Sequence, residues 1–383
     1  MAAYSFSVPQ EIVFGRGTLD KLPEYVKKLD CKKAFIISGP HLKKIGLVDK
    51  CRDALKVAGI KSGIFTETEG NPGTDTVDKA VEQFMDSGSD LIIAFGGGSP
   101  IDVAKAVAIL GTYGGAITDY EGVGKVPGPV IPIIAIPTTA GTGSEVTAFS
   151  VITDHSRNYK LTVGSNYLLP KCAILDPELI MSVPVKTASA CGVDALVHAI
   201  EAYISLKASP FSDMMALKAL ELIGKNLRAY VANRQNKIAA DAMLQGSLYA
   251  GIAFSHARLG NVHAMSHPVS AYFDVPHGLA NAILLPFVTE FNELSDKGKY
   301  YDIYRCISLA PVTKKDFVPH MLTQEIRVLN ISLDIPGTLV EVGVKEELFE
   351  FMTDDAMKSG NIAVNPRQTT RQDILDLYNK AFR

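Results

Sequence analysis

Four of the chain's eight histidines, His256, His263, His267 and His277, fall within residues 254–281 (FSHARLGNVHAMSHPVSAYFDVPHGLAN). Packing alone is a weak reason to gather so many imidazoles in a segment rich in small residues. His263 and His267 are four apart and so share one face of a helix, whereas His277 lies beyond a break marked by Pro276 and Gly278. Upstream, in residues 191–205 (CGVDALVHAIEAYIS), Asp194 and His198 repeat the same spacing. On a helix that places two side chains ~6 Å apart along the axis, close enough to chelate one ion. Alone, such a pair reads more readily as a surface Asp–His contact. Together, one carboxylate with three imidazoles, or two such pairs plus one, make a divalent-metal site with nitrogen and oxygen ligands. No HExxH arrangement is present, so a zinc-protease reading fails.

A second kind of chemistry is written in residues 90–105 (DLIIAFGGGSPIDVAK): a buried strand, three glycines, a serine and a helix. Glycines let the backbone approach a bulky anion, and unpaired N–H groups at a helix start face it. Pro100 suits the first helical turn, where its missing N–H is not needed. The segment matches neither GxGxxG nor GxxxxGK[ST]; without a ligand it is simply a tight strand–helix turn. Residues 137–145 (PTTAGTGSE) form another polar turn after a strand and offer the hydroxyls of Thr138, Thr139, Thr142 and Ser144. Two such loops at the carboxyl ends of strands fit a long phosphate-bearing ligand.

The elements that must position these groups follow from periodicity. Residues 33–39, 61–66 and 90–95 read as strands, and residues 49–59, 74–87 and 101–110 as helices. Residues 130–136 are strand-like, with Pro132 pointing to an edge or irregular strand. This alternation predicts a parallel sheet covered by helices. After residues 176–179 helix dominates: 193–205, 211–233, 238–254 and segments beyond 291, with 284–286 and 335–337 as interruptions. The boundary is placed near residues 182–187, with Thr187 or Ser189 as cap of the next helix. The chain therefore reads as an α/β domain over residues 1–183 followed by an all-helical domain over 184–383.

With 383 residues, two domains are the first expectation. A net charge of -3 gives no electrostatic reason to expect nucleic acid or an anionic membrane as partner. Five scattered cysteines without a CxxC pair argue against a disulfide framework and a cysteine–zinc site. The first residues lack signal-peptide character, and apolar runs end well before ~20 residues. The expected location is the reducing cytoplasm.

On these residues the chain resembles the iron-containing (group III) alcohol dehydrogenase family, which includes lactaldehyde, 1,3-propanediol and butanol dehydrogenases. The resemblance covers nearly the whole chain and rests on GGGSPIDVAK (96–105), IPTTAGTGSEVT (136–147), GVDALVHAIEAYIS (192–205), the residues from Gly260 to Pro286, and NPR (365–367). It implies a dinucleotide-binding α/β domain, an all-helical metal domain and an active site in the cleft between them. By position, Asp194, His198, His263 and His277 match metal ligands, and His267 matches an uncoordinated histidine beside the substrate. Gly97, Gly98 and Ser99 match the pyrophosphate loop, and Thr138, Thr139, Thr142 and Ser144 the second cofactor loop. Asn71, Lys160 and Leu179 match further cofactor neighbours, and Phe254 an aromatic of the nicotinamide–substrate pocket. Phe149 and residues 361–364 match pocket positions that vary among members. His256 matches no family site and is read as structural.

The resemblance further implies NAD as cofactor, iron(II) as metal with zinc(II) competing because its raw affinity is higher, and a homodimer or larger assembly. Gly39 stands in the cofactor site where many NAD-preferring members carry an aspartate that repels a 2′-phosphate, so NADP stays admissible. The implied reaction is hydride transfer between the dinucleotide and a small alcohol or aldehyde, with the metal polarising the substrate oxygen and His267 serving proton transfer. Two competing readings are a lyase resembling dehydroquinate synthase, which uses NAD only transiently, and a non-catalytic nucleotide- or metal-binding protein. Net turnover of NAD(H) separates the first; retention of ligands and cofactor loops together speaks against the second.

Overall fold

The structure, a computed structural model, describes residues 4–383. The chain divides into two compact units, Ser7–Val183 and Pro184–Arg383, the latter joined by residues 4–6. Phe6 stacks on Phe211 with ring centroids 4.0 Å apart, which ties the start of the described chain to the second unit rather than the first.

The strands of the first unit are β1 (Glu11–Phe14), β2 (Lys33–Ile37), β3 (Lys61–Phe65), β4 (Leu91–Gly96), β5 (Gly122–Val123), β6 (Ile133–Pro137), β7 (Phe149–Asp154), β8 (Tyr159–Gly164) and β9 (Cys172–Leu175). Six of them form an all-parallel sheet of order β1-β9-β6-β4-β2-β3. Its helices are α1 (Leu22–Lys28), α2 (Pro40–Lys44), α3 (Leu47–Val57), α4 (Thr74–Ser87) and α5 (Gly98–Tyr113). Alternate residues of the central strands feed two cores. Phe35, Ile37, Ile92, Ala94 and Ala135 pack with α4 and α5 on one face; Ala34, Ile36, Ile93, Phe95 and Ile134 pack with α1 and α3 on the other. Burial on both faces is why these strands read as unbroken apolar runs.

Three expectations are corrected. Residues 133–137 are a central strand, paired to β4 and β9, not an edge. Pro132 lies just before the ladder, and its carbonyl accepts from Ile92 N–H at 3.0 Å. Helix α5 starts at Gly98, three residues earlier than its apolar periodicity shows. A small second sheet, β5-β8-β7, arises from a hairpin that alternation did not reveal.

The second unit is helical: α6 (Val185–Ile204), α7 (Pro210–Ala232), α8 (Lys237–Ala257), α9 (Asn261–Phe273), α10 (His277–Asn292) and shorter helices through Phe382. Thr187 and Ser189 lie inside α6 and do not cap it; the helix follows Pro184 without a capping side chain. Residues 284–286 do not interrupt the chain, because Pro286 sits within α10. Proline there leaves the carbonyl four residues back without its helical partner. That carbonyl, of Ala282, accepts a hydrogen bond from Asn330 Nδ2 at 2.7 Å. No helix among the described residues is long and apolar enough to cross a membrane.

Candidate metal and cofactor sites

Asp194 and His198 project from one face of α6, His263 from the first turn of α9, and His277 opens α10. Their ligand atoms all lie within 4.8 Å of one another. Asp194 Oδ1 is 3.8 Å from His198 Nε2, 3.9 Å from His263 Nε2 and 4.0 Å from His277 Nε2. A tetrahedron of ~2.1 Å bonds has edges of ~3.4 Å, so the four stand a little wider than that ideal. Asp194, His198 and His263 are buried, while the His277 side chain is 26% exposed.

The donor set fits a divalent ion. Asn281, one turn after His277, places its Nδ2 2.6 Å from Asp194 Oδ1 and 3.1 Å from the Nε2 atoms of both His263 and His277. With both Nε2 atoms unprotonated, its two amide protons face three acceptors, and the centre then holds more lone pairs than protons. Burial, reinforced by the imidazoles of His198, His277 and His267, holds the His263 pKa well below its ordinary value, leaving a neutral ring able to ligate. Sequence reasoning missed Glu201. It is buried on α6, seven residues after Asp194, with Oε2 2.6 Å from His263 Nδ1 and Oε1 accepting from Val262 N–H at 2.7 Å. Burial pushes its carboxyl up to about 7, against the pull of backbone N–H groups. The spacing could have flagged it, since seven residues return to nearly the same helix face.

His267 stands beside the quartet and outside it, 6.4 Å from the His263 ring and 5.3 Å from that of His277. The Phe254 ring stacks on His198 at 4.4 Å. His256 lies edge-on to Phe6 and Phe211, consistent with a packing role.

In the first unit, the sheet order reverses between β2 and β4, and such switch points open a crevice at the strands' carboxyl ends. Gly39 follows β2, and the glycine loop follows β4. The second loop follows β6, which pairs with β4 at Gly96–Pro137. The loops touch. A Cβ on Gly97 would meet Thr139 Oγ1 at 3.1 Å, and one on Gly98 would meet Thr142 Cγ2 at 2.8 Å. Only glycine permits this approach, and α5 starts there without a side-chain cap, leaving first-turn N–H groups for an anion. Ser99, Thr139 and Thr142 are partly exposed at this cradle, whereas Thr138 is buried, its N–H bonded to Gly96 O.

Ser144 is differently employed. Its hydroxyl donates to Asp102 Oδ1 at 2.6 Å and accepts from Lys105 Nζ at 2.9 Å. Lys105, wholly buried on α5, also reaches Ser144 O (2.8 Å), Thr147 Oγ1 (3.1 Å) and Phe149 O (2.7 Å). Its ammonium thus ties the glycine-loop helix to the second loop and to β7, and burial lowers its pKa to about 8. Lys105→Met leaves these oxygens and Asp102 without their cation. We expect a loss of about 3–5 kcal/mol of stability, read as a lower urea midpoint, together with a raised KM for the dinucleotide. An unchanged midpoint would show that the ammonium does not hold the loops together.

Asn71, in the left-handed region at φ 52°, accepts from Lys160 Nζ at 2.6 Å. Leu179 is buried in the core on the α1–α3 face of the sheet. Phe149 begins β7 in the small sheet. At Gly39 a Cβ would meet Thr68 O at 2.9 Å, a backbone atom that cannot swing aside. An aspartate introduced there would shift the backbone as well as repel a 2′-phosphate, so that exchange does not isolate cofactor choice.

Known proteins resemble the chain over nearly its whole length. Residues 9–177 match the model of iron-containing alcohol dehydrogenase, and residues 188–382 that of the C-terminal part of the Fe-containing alcohol dehydrogenase family. The chain is 35% identical to the NAD-dependent methanol dehydrogenase of Bacillus methanolicus, covering 99% of this chain and 100% of that one. It is 37% identical to the NADPH-dependent butanol dehydrogenase of Clostridium saccharobutylicum, over 98% and 97% of the two chains. A crystal structure of 1,3-propanediol oxidoreductase superposes with a TM-score of 0.95 at 37% identity, covering 100% of both chains.

Proposed function

Because the chain belongs to the iron-containing alcohol dehydrogenase family, we propose how its own residues divide the work of that chemistry. The protein is a metal-dependent alcohol dehydrogenase and aldehyde reductase that moves hydride between a nicotinamide dinucleotide and a small alcohol or aldehyde. The observation that carries the residue assignment is the convergence of Asp194, His198, His263 and His277 on one centre.

Iron(II) held there supplies Lewis acidity toward a substrate oxygen, and the reduced nicotinamide supplies the hydride. Asp194 contributes the single negative charge of the ligand set; His263, kept neutral by its burial, contributes a lone pair rather than a proton. Phe254, stacked on His198, keeps water from that ring and forms a wall of the substrate pocket. His267 carries a proton on a ring nitrogen and delivers it to the oxygen on which negative charge develops. Gly97, Gly98 and Ser99 bind the pyrophosphate through backbone N–H groups at the start of α5. Thr139 and Thr142 face the same ligand, with Thr138 and Ser144 shaping the loop from beneath. Gly39, Asn71, Lys160 and Leu179 border the dinucleotide site, and Gly39 places no carboxylate against a 2′-phosphate, so NADP is admitted beside NAD. Residues 1–183 act as the dinucleotide domain and 184–383 as the metal domain. Five free, dispersed cysteines support a cytoplasmic location, and the family resemblance supports a homodimer or larger assembly.

The test is a panel of aldehydes of two to four carbons, including diol-derived and sulfonated ones, assayed with NADH and NADPH on iron-reconstituted protein. Stoichiometric, metal-dependent consumption of reduced cofactor is expected with at least one of them. Consumption of none, with turnover of a dehydroquinate-synthase-type phosphorylated substrate supplied separately with NAD and no net change in NADH, would replace the dehydrogenase by a lyase.

A further inference from the structure

We propose that Glu201 is a positioning residue of the metal centre: its carboxylate fixes His263 in the tautomer that turns the Nε2 lone pair toward the ion. The proposal rests on the reading of Asp194, His198, His263 and His277 as ligands. A neutral imidazole carries one proton and has two nitrogens. Glu201 Oε2 lies 2.6 Å from His263 Nδ1, so an ionised carboxylate there requires Nδ1–H and leaves the lone pair on Nε2. Nε2 is the nitrogen that faces Asp194 and Asn281.

Several features accommodate this contact. Glu201 lies two turns after Asp194 on α6, so one helix supplies two ligands and the brace for a third. Glu201 Oε1 comes within 3.0 Å of where a Cβ on Gly260 would stand, so glycine at the start of α9 leaves room for the carboxylate. Oε1 also accepts the Val262 N–H, which seats the carboxylate against the first turn of α9, the favourable end of its dipole. A carboxylate behind a ligating histidine fixes ring orientation and raises ligand basicity.

The competing role is a simple helix cap, since Gly260 offers α9 no capping side chain. Glu201→Gln separates the two. Its amide oxygen can still accept the Val262 N–H and preserve the cap. Its NH2 then faces His263 Nδ1 and stabilises the opposite tautomer, with a proton on Nε2 where the ion must bind. We would strip the full-length protein with a chelator and titrate it with Zn(II) against a metal-binding dye, using His263→Ala as control. Glu201→Gln should bind Zn(II) ~10–100-fold more weakly than the parent, while the melting midpoint of the metal-free protein stays in place. Equal Zn(II) affinity in parent and variant would overturn the proposal. A parent that binds no more Zn(II) than His263→Ala would instead bring down the ligand assignment, and the brace with it. Independently of the variant's folding, imidazole 15N spectra of the metal-free parent, taken at alkaline pH where the Glu201 carboxyl is ionised, should show His263 protonated at Nδ1. Protonation at Nε2 would overturn the proposal directly.

Discussion

His263→Ala should yield protein that retains neither its ion nor its turnover. His263 is almost wholly buried, its ring stacks on His198 at 4.7 Å, and its Nε2 faces the same centre as Asp194 and His277. The substitution removes one of four donors and leaves the Glu201 carboxylate buried without its imidazole partner. Polarisation of the substrate oxygen contributes several kcal/mol to the barrier, so its loss lowers turnover on the order of 10³-fold or more. Metal content per chain, measured beside cofactor consumption, checks both halves. The chelator-stripped parent should match the variant in activity and recover on adding iron(II), which the variant should not. Full metal occupancy in His263→Ala would strike His263 from the ligand set.

The second large effect concerns His267, one helical turn further along α9. It faces the His277 ring but lies outside the four converging ligand atoms. His267→Ala should keep metal and dinucleotide affinity while lowering kcat by ~10²–10⁴-fold, the usual loss for a missing general acid. The pH–rate profile should lose one limb in the variant. Near-normal turnover with an unaltered profile would make His267 a packing residue; loss of the ion would make it a ligand and displace one of the four.

How much of this was legible in the sequence differs by element. Asp194 and His198 were readable because a helix converts a spacing of four into proximity, and the same logic placed His263 and His267 together. Bringing Asp194, His198, His263 and His277 onto one centre needed the packing of α6, α9 and α10, which no local spacing encodes. Glu201 lay in full view in GVDALVHAIEAYIS, yet a glutamate on a helix normally faces water. Its burial depends on Gly260, 59 positions away. Lys105 closes the GGGSPIDVAK motif, but its partners come from residues 144–149 and only the fold brings them near. The two prolines misled for opposite reasons. Pro132 stops one residue short of the strand it was thought to weaken, and Pro286 persists in a helix because Asn330 satisfies the freed carbonyl. The small sheet escaped notice because β7 buries Ser150, Thr153 and Asp154 while Phe149 and Val151 stay partly exposed, which blurs its pattern, although β8 alternates Tyr159, Leu161 and Val163 with Lys160 and Thr162.

The buried ammonium of Lys105 has a consequence for the cost of taking up a dinucleotide. Ordering a flexible backbone costs roughly 1–2 kcal/mol per residue, and a ligand that had to arrest two wandering loops would lose much of its affinity to that entropy. Here the 144–149 segment is bonded to a cation on α5, the helix that the glycine turn opens, and through Ser144 to Asp102 on the same helix. Their freedom is given up during folding, and binding starts from a preorganised surface. On the proposed cofactor assignment, exchange at these loops is expected to proceed without melting and refreezing the cradle in each catalytic cycle.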